Sequence, residues 1–211
     1  MDTNFQRAKS KENKTIRYQQ IMDVADHLFH HSTYHDITLS VISKELNLAR
    51  GGLYKYVSSK EEIFLSLYLQ KEEAFVKDVF NTLSSNAQTI DSIAETLSQA
   101  FYKHIDLLKY HQILNSIIET NVSVEKLADF KVKNNIYVAD LYSVINKTLD
   151  INEKEWFNIY LTILYHGVYL YDRVFYHDIY LDAMKLAQLE IDDINFIESF
   201  THFIKIILKN L

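Results

Sequence analysis

The scarcity of turn-forming residues constrains this chain more than any other feature. Its 211 residues include no proline and only three glycines. Tight β-hairpin turns and phosphate-binding loops need glycine where the backbone bends sharply, so sheet-based and mononucleotide-binding folds are disfavoured. Apolar residues make up 48% of the chain and aromatic residues 13%, which favours a packed core over a disordered chain. We therefore expect an all-α protein.

Several classes of chemistry are disfavoured by what the sequence lacks. Without cysteine, the chain has neither disulfides nor a thiolate nucleophile. It contains no HExxH, GxSxG, P-loop or dinucleotide-binding glycine pattern, so we do not expect an enzyme. It also has no apolar run of about 18 residues and no signal-peptide core, which predicts a soluble, cytoplasmic protein that does not bind membranes.

A short helix that ends in a tight turn is predicted after Thr38. This residue is a preferred N-cap, and Leu39, Ile42 and Leu46 follow at the spacing of one helix face. Asn47 tolerates the left-handed conformation that such a helix end often needs. A stripe of about two turns is too short to be stable alone, so this helix must pack against neighbours.

The residues after this turn predict two further helices. Leu48 and Leu53 can return to the same small core, while the small residues between them leave room for another surface to approach closely. Ser59, with Glu62 three positions later, forms a capping box that starts a long helix. This order is typical of a helix-turn-helix unit, in which a short helix enters the DNA major groove.

The N-terminal part of the chain supplies a scaffold helix and positive charge. The apolar stripe of that helix consists of Tyr18, Ile21, Val24, Ala25, Leu28 and Phe29. Residues 1–60 carry nine Lys and Arg against six Asp and Glu, whereas the remainder carries 13 against 22. The N-terminal part of an otherwise acidic chain is therefore expected to attract the phosphates of a nucleic acid. The basic residues up to Arg17 are expected to form a flexible arm, which either reaches a neighbouring groove or is a solvated tail.

As a set, these residues resemble the N-terminal head of the tetracycline-repressor (TetR/AcrR) family of bacterial transcription regulators. The matching positions are Ala25, Leu28, Phe29, Thr38, Ile42, Ser43, Leu48, Arg50, Gly51, Leu53, Tyr54, Ser59, Lys60, Glu61, Glu62 and Ile63. The chain departs from the family pattern at Thr33 and Asn47, where glycine is usual. It also has Gly52 where threonine or serine commonly contacts DNA, and Val57 where phenylalanine is usual.

The resemblance implies a DNA-contacting surface made of Thr38, Arg50, Gly51, Gly52, Tyr54, Lys55, Tyr56 and Lys60. Thr38, Tyr54 and Lys60 would hold phosphates, and the others would face base edges or the nearby backbone. The planar guanidinium of Arg50 can bond O6 and N7 of guanine together, so it is the candidate for base readout. Lys60 either holds a phosphate or is solvated, and Tyr56 points either outward or into the core. The glycine at position 52 lacks the hydroxyl with which threonine or serine commonly contacts DNA there.

Beyond this head the sequence predicts a helical bundle. Amphipathic helices are expected near 60–84, 90–111, 111–120, 123–149, 152–177, 180–190 and 191–210. We place a DNA-binding domain at 1–64 and an effector-binding and dimerisation domain at 65–211, with the first long helix spanning both. Asn152 with Glu155 repeats the capping-box pattern.

The helices near 152–177 and 191–210 are apolar on two faces, so each is expected to be buried on two sides. The predicted dimer interface consists of Trp156, Tyr160, Gly167, Ile197, Phe200, Ile204 and Ile207. These helices would complete a four-helix bundle with a second copy, as the resemblance also implies. The alternative is that both helices are central in a larger monomeric core.

An aromatic pocket is the predicted effector site. Its candidate lining is aromatic, with two histidines as polar points: Phe101, Tyr102, Tyr110, Tyr137, Tyr142, Tyr165, Tyr169, His104 and His166. Such a cavity suits a planar or lipophilic compound, although aromatics at helical spacing also form ordinary cores. His104, His111 and His166 leave a haem or metal site open, but we predict no cofactor and no metal.

These patterns predict a homodimeric regulator of transcription that binds double-stranded DNA. Its expected action is that of a repressor, released from a palindromic operator by a small lipophilic or aromatic ligand. Two alternatives remain open at this point. One is an architectural helix-turn-helix protein without an effector, and the other is a haem- or metal-responsive repressor.

Overall fold

Every regular element in the described part of the chain is helical. The structure is a computed structural model that describes residues 3–85, 88–175 and 178–211, apart from the side chains of residues 3–11 and of Arg50. Within these ranges the α-helices are α1 (Thr3–His31), α2 (Leu39–Glu45), α3 (Arg50–Leu53), α4 (Lys60–Ser84), α5 (Ile90–Lys103), α6 (Asp106–Ile113), α7 (Val124–Ile145), α8 (Glu153–Val174), α9 (Asp178–Leu186) and α10 (Phe196–Lys209). The all-α prediction is confirmed.

Three parts of the described chain differ most from the predicted helices. The helix expected at 90–111 is broken at His104, whose backbone (φ −105°, ψ 41°) leaves the helical region. The stretch expected as the next helix is instead a π-helical turn, Leu114–Ile118, followed by the 3-10 turn Glu119–Asn121. The N-terminal basic segment, expected to be a flexible arm, is part of α1 from Thr3 onward.

The chain divides into two compact units, each made of two stretches of sequence. Unit 1 comprises Met1–Leu69 and Leu114–Phe130, and unit 2 comprises Gln70–Ile113 and Lys131–Leu211. The π-helical turn and the start of α7 therefore cluster with the N-terminal helices, although they are distant in sequence. Both α4 and α7 contribute residues to each unit, as expected for α4.

The core of unit 1 joins α1 to α2, α3 and the start of α4. Phe64 is fully buried and meets the rings of Phe29 and Tyr34 edge-on, at centroid distances of 5.2 and 5.0 Å. Leu53 and Val57 are buried beside the turn of the helix-turn-helix. Aromatic edge-to-face pairs add stability beyond their buried area, so these rings fix α1 against α4.

In unit 2, α10 packs against α5 and α8, and α6 packs against α8. Phe101 of α5 lies between Phe75 and Phe200, with ring centroids 4.3 and 5.3 Å away. A Cβ atom on Gly167 would lie 3.0 Å from the Phe200 ring and 3.1 Å from Leu108. This glycine therefore lets α8 approach its neighbours closely within its own chain.

Candidate nucleic-acid interface

The turn between α2 and α3 contains the left-handed residue that we expected at Asn47. Asn47 has φ 52°, in the left-handed region. Its N–H donates to the Lys44 carbonyl at 3.0 Å, and the Leu48 N–H donates to the Ser43 carbonyl at 2.8 Å. This pair of hydrogen bonds is a Schellman motif, which satisfies the last carbonyls of α2 and turns the chain toward α3.

The other end of α2 is capped by Thr38, as expected. Its Oγ1 accepts a hydrogen bond from the Val41 N–H at 3.2 Å, and its backbone is extended. The residue remains exposed. An exposed hydroxyl at the start of a helix is a favourable place for a phosphate oxygen.

The short helix α3 presents a surface with little bulk. Leu53 is fully buried, whereas Gly51 is exposed and Gly52 half-buried. A Cβ atom added at either glycine would meet no atom within 4 Å. Another backbone can therefore approach this face of α3 closely. The side chain of Arg50 lies outside the described residues, and its guanine contact stays a prediction.

Three residues after α3 extend the same surface. The side chain of Tyr54 is 48% exposed, Lys55 is exposed, and Tyr56 is half-buried. The sequence left open whether Tyr56 points outward or into the core. Its half-buried side chain is intermediate between these two orientations. Val57, which follows, is buried and fills the position where the family usually has phenylalanine.

Lys60 makes contacts inside unit 1 that the sequence did not indicate. Its Nζ donates to the carbonyl oxygens of Tyr34 and Ile37 at 2.8 and 2.9 Å, and lies 3.8 Å from the centre of the Tyr34 ring. Burial lowers the pKa of Lys60, partly offset by the charge of Glu61. The Tyr34 hydroxyl in turn donates to Glu61 Oε1 at 2.7 Å. The ammonium is thus neither simply solvated nor pointing freely outward.

The start of α4 is capped, but differently from the predicted box. Ser59 Oγ accepts from the Glu62 N–H at 3.2 Å, as expected. The Glu62 carboxylate, however, accepts from the N–H and the hydroxyl of Ser58, at 2.9 and 2.7 Å. It also pairs with Lys126 Nζ at 2.5 Å. Sequence reasoning missed Lys126, because nothing local to it indicates that it returns to α4.

The residues predicted to line an effector pocket lie in different surroundings. Phe101 is a fully buried core residue, and His104 Nε2 lies 3.2 Å from the Asp78 carboxylate. The Tyr137 hydroxyl donates to Glu73 at 3.3 Å. Tyr137 lines a crevice of about 300 Å³ between α4 and α7, together with Glu73, Val76, Lys77, Phe80 and Asp140.

The three α8 residues of that predicted pocket lie on the outer side of α8. Tyr165 and Tyr169 are 50% and 54% exposed. His166 is half-buried and stacks on Phe203 of α10, with centroids 3.6 Å apart, and its burial lowers its pKa. Phe101 therefore belongs to the core, whereas Tyr165 and Tyr169 are half-exposed.

The predicted dimer stripe needs correction, because most of it faces the interior of its own chain. Trp156, Tyr160, Phe200 and Ile204 are each 0 or 1% exposed, so they are not accessible to a second copy. Trp156 Nε1 donates to the Val138 carbonyl at 3.1 Å. Gly167 is covered by Phe200 and Leu108. Ile197 and Ile207 are half-buried and can still take part in an interface.

The described residues contain no group of three or more His, Cys, Asp and Glu side chains placed to hold a metal ion. His111 is buried, and this burial, followed by the charge of Lys131, lowers its pKa to about 4.

Among the described helices, none combines the length and the apolar character needed to cross a bilayer.

Two family models together match most of the chain. Residues 21–67 match the model of bacterial regulatory proteins of the tetR family, and residues 69–209 match the tetracyclin repressor-like C-terminal domain. The fatty acid metabolism regulator protein of Bacillus subtilis is 30% identical over 97 residues. That match covers 46% of this chain and 48% of the relative, so the chain spans about half the length of the curated relative it matches.

Solved structures share the fold at low identity. A TetR/AcrR family regulator from Thermobifida fusca has a TM-score of 0.57 and 16% identity, covering 92% of this chain and 97% of that chain. The fatty acid degradation regulator FadR from Bacillus halodurans has a TM-score of 0.59 and 17% identity, covering 91% and 94%. The C-terminal model alone matches more than half of the sequence. The chain therefore belongs to the tetR family of bacterial regulatory proteins.

Proposed function

We propose that the chain acts as a homodimeric repressor, released from a palindromic operator when unit 2 binds a small lipophilic ligand. The single observation that supports operator recognition best is the open face of α3. There Gly51 and Gly52 leave space for DNA, and exposed Tyr54 and Lys55 follow directly. The net positive charge of residues 1–60 favours phosphate on this part of the chain.

In this proposal Arg50 reads a guanine, and Thr38, Tyr54 and Lys55 hold the backbone on either side of it. Four residues of α3 contact only a few base pairs, so one copy gives little specificity. Two copies related by a two-fold axis would contact half-sites whose centres lie about 34–36 Å apart, or a multiple of that distance. Lys60 would support this surface from within, through Tyr34 and Ile37.

The outer faces of α8 and α10 are the surfaces we propose for dimerisation. Exposed apolar residues of these two helices include Tyr165, Tyr169 and Ile206, and half-buried Phe203 of α10 stacks on His166 of α8. Contiguous exposed aromatic and aliphatic residues mark interaction surfaces in soluble proteins. A two-fold axis through α8 and α10 would form a four-helix bundle, with Ile197 and Ile207 at its edges.

A buried polar group in unit 2 supports a ligand that combines an apolar body with one hydrogen-bonding group. The Tyr160 hydroxyl is fully buried and has no hydrogen-bond partner among the described residues. Burial, followed by the charge of Glu72, raises its pKa, so the hydroxyl stays protonated and can donate. An unsatisfied buried hydroxyl costs about 1–3 kcal/mol, which a ligand acceptor would recover. The names of the two fatty acid regulators among the relatives point to a lipophilic class of ligand.

The test is ligand-dependent release of DNA. A duplex is first selected from a random pool with the purified wild-type protein, and its dissociation constant is measured while fatty acids of increasing length, or planar aromatic compounds, are titrated. We expect one class to weaken binding. The Tyr160→Phe variant should keep DNA affinity and lose part of the ligand response, whereas Tyr180→Phe, at an exposed position of α9, serves as the matched control. Selected binding that no lipophilic compound alters would contradict the ligand part of this proposal.

A further inference from the structure

We propose that Lys126 is a positioning residue for operator recognition, acting through Glu62 on the segment that connects α3 to α4. This inference rests on the family-level DNA binding and requires neither the dimer nor the ligand proposed above. Lys126 and Glu62 come from distant parts of the sequence, yet both belong to unit 1.

The ion pair is short, and it joins a half-exposed lysine to a nearly buried glutamate. Lys126 Nζ lies 2.5 Å from Glu62 Oε1, and the side chain of Lys126 is 53% exposed, against 10% for Glu62. Burial alone would raise the pKa of Glu62, but Lys126 and the two Ser58 donors outweigh it and lower the pKa. Lys126 also stands in the first turn of α7, where a positive charge is unfavourable to the helix dipole. The pairing with Glu62 offsets that conflict.

Glu62 transmits this contact to the segment after α3. One of its oxygens, Oε2, accepts from the Ser58 N–H at 2.9 Å and the Ser58 hydroxyl at 2.7 Å. The other oxygen, Oε1, is the one that Lys126 holds. Ser58 follows buried Val57, so the end of the segment that begins with Tyr54 is held by this apolar side chain and by the Glu62 carboxylate. If Lys126 is removed, a nearly buried carboxylate loses its counter-charge and its grip on Ser58 weakens.

Neighbouring contacts tie the same residue to the rest of unit 1. The Glu62 carbonyl accepts from Ser66 Oγ at 3.1 Å, and that hydroxyl lies 2.7 Å from the Tyr18 hydroxyl of α1. Four residues beyond Lys126 on the same helix, Phe130 is buried against Tyr68 of α4, with ring centroids 5.8 Å apart. Polar and apolar contacts together hold the start of α7 on α4.

The segment that carries Lys126 also has an unusual connection. It is preceded by the π-helical turn Leu114–Ile118, which continues directly from α6. Short π-helical turns are rare and often occur at functional sites. Unit 1 thus includes the segment Leu114–Phe130, which follows α6 and ends within α7. Within this segment, Lys126 contacts Glu62, which in turn bonds to Ser58 in the connection between α3 and α4.

The first experiment separates positioning from a direct phosphate contact. The variants are Lys126→Met, Lys126→Arg and the control Lys133→Met, which removes another exposed positive charge from α7. Binding to a duplex selected by the wild type, and to a scrambled duplex, is measured at several salt concentrations. We expect Lys126→Met to weaken specific binding by about fivefold, the upper end for a partly exposed ion pair. The scrambled duplex and the salt slope should be unchanged, and arginine should restore specific binding.

A direct contact with DNA gives a different result. Losing one phosphate contact would weaken both duplexes alike and reduce the salt slope by about one unit. Such a result, or unchanged binding by Lys126→Met, would overturn the proposal. The folded fraction of each variant is determined by stoichiometric titration and thermal unfolding. If Lys126→Met does not fold, Lys126→Gln replaces it, because glutamine retains a donor for the Glu62 carboxylate.

The second experiment tests whether Lys126 acts through Glu62. Lys126→Met is measured in the wild type and in a Glu62→Gln background, and the two effects on specific affinity are compared as a double-mutant cycle. Glutamine keeps an oxygen that can accept from Ser58 and removes the charge that Lys126 neutralises. In the Glu62→Gln background we expect the fivefold loss of affinity caused by Lys126→Met to fall to less than about twofold. A twofold difference is about the usual uncertainty of such cycles, so a loss of that size would count as none. An undiminished effect would overturn the route through Glu62.

Discussion

Asn134 donates hydrogen bonds from Nδ2 to both carboxylate oxygens of Glu72, at 2.7 and 2.8 Å. The carboxyl group is fully buried in unit 2, and Asn134 is a neutral partner. Burial raises the pKa of Glu72 to about 7, although Asn134 and the charge of Lys131 act in the opposite direction. The ionisation of this single side chain therefore falls near neutral pH, beside the buried hydroxyl of Tyr160.

The first prediction concerns the pH dependence of stability. Because the pKa of Glu72 is higher in the folded state, the group contributes stability that is fully present below the unfolded pKa, near 4.5, and is lost as pH rises through about 7. Glu72→Gln should therefore be more stable than the wild type at pH 8, by at most about 3 kcal/mol. At pH 4 the difference should vanish.

Denaturant unfolding at these two pH values measures the effect. Glu73→Gln is the matched control, because Glu73 is exposed on the same helix and should change neither value. A Glu72→Gln variant that is less stable than the wild type at pH 8 would show that the buried carboxylate is stabilising when ionised.

The second prediction compares two glycines in opposite surroundings. Gly52→Ala should stabilise the chain by up to about 1 kcal/mol, since alanine is the better helix former and no atom lies within 4 Å of the new Cβ. Gly167→Ala should destabilise it by about 1–3 kcal/mol, because Phe200 lies 3.0 Å away and is held by other rings. Thermal unfolding checks both, and the same sign for both variants would refute the difference in packing.

The third prediction concerns base readout by Arg50. Arg50→Ala should weaken binding to the selected duplex by about 1–3 kcal/mol and relax specificity at one position. Arg50→Lys keeps the charge but loses the planar fork, so it should restore non-specific binding and not specificity. Selection of duplexes with each variant measures this. If Arg50→Ala selects the same sequence as the wild type, with equal affinity, Arg50 does not read a base.

The fourth prediction concerns the dimer surface. Tyr169→Glu places a charge on the exposed side of α8 and should shift the chain toward monomer in sedimentation velocity, because an interface would have to bury that charge. Val132→Glu introduces the same charge at an apolar α7 residue that is 63% exposed, and it should leave the dimer intact. An unchanged dimer for Tyr169→Glu would remove this face from the interface.

The parts of the fold that sequence patterns predicted are those set by local interactions. The bounds of α4, the left-handed Asn47 and the Asn152–Glu155 capping box depend only on residues a few positions apart. The π-helical turn after α6 was not predicted, because no local pattern distinguishes it from an α-helical turn. The Lys126–Glu62 pair was also missed, since it depends on how distant parts of the chain pack.

The choice between the two apolar faces of α8 shows the limit more clearly. Both faces carry large apolar residues, so periodicity alone does not say which one faces inward. Gly167 indicated a close helix contact correctly, but the partner is Phe200 of the same chain. In the pocket, aromatic character likewise did not separate buried Phe101 from exposed Tyr169. Tertiary packing decides these assignments.

Hydroxyl-radical footprinting of the selected duplex tests the central claim, paired recognition of DNA grooves by two copies of the chain, most directly. We expect two protected segments of equal strength, related by a dyad in the sequence, with centres about 34–36 Å or a multiple of that distance apart. A single protected segment, or no protection even at low ionic strength, would contradict the claim.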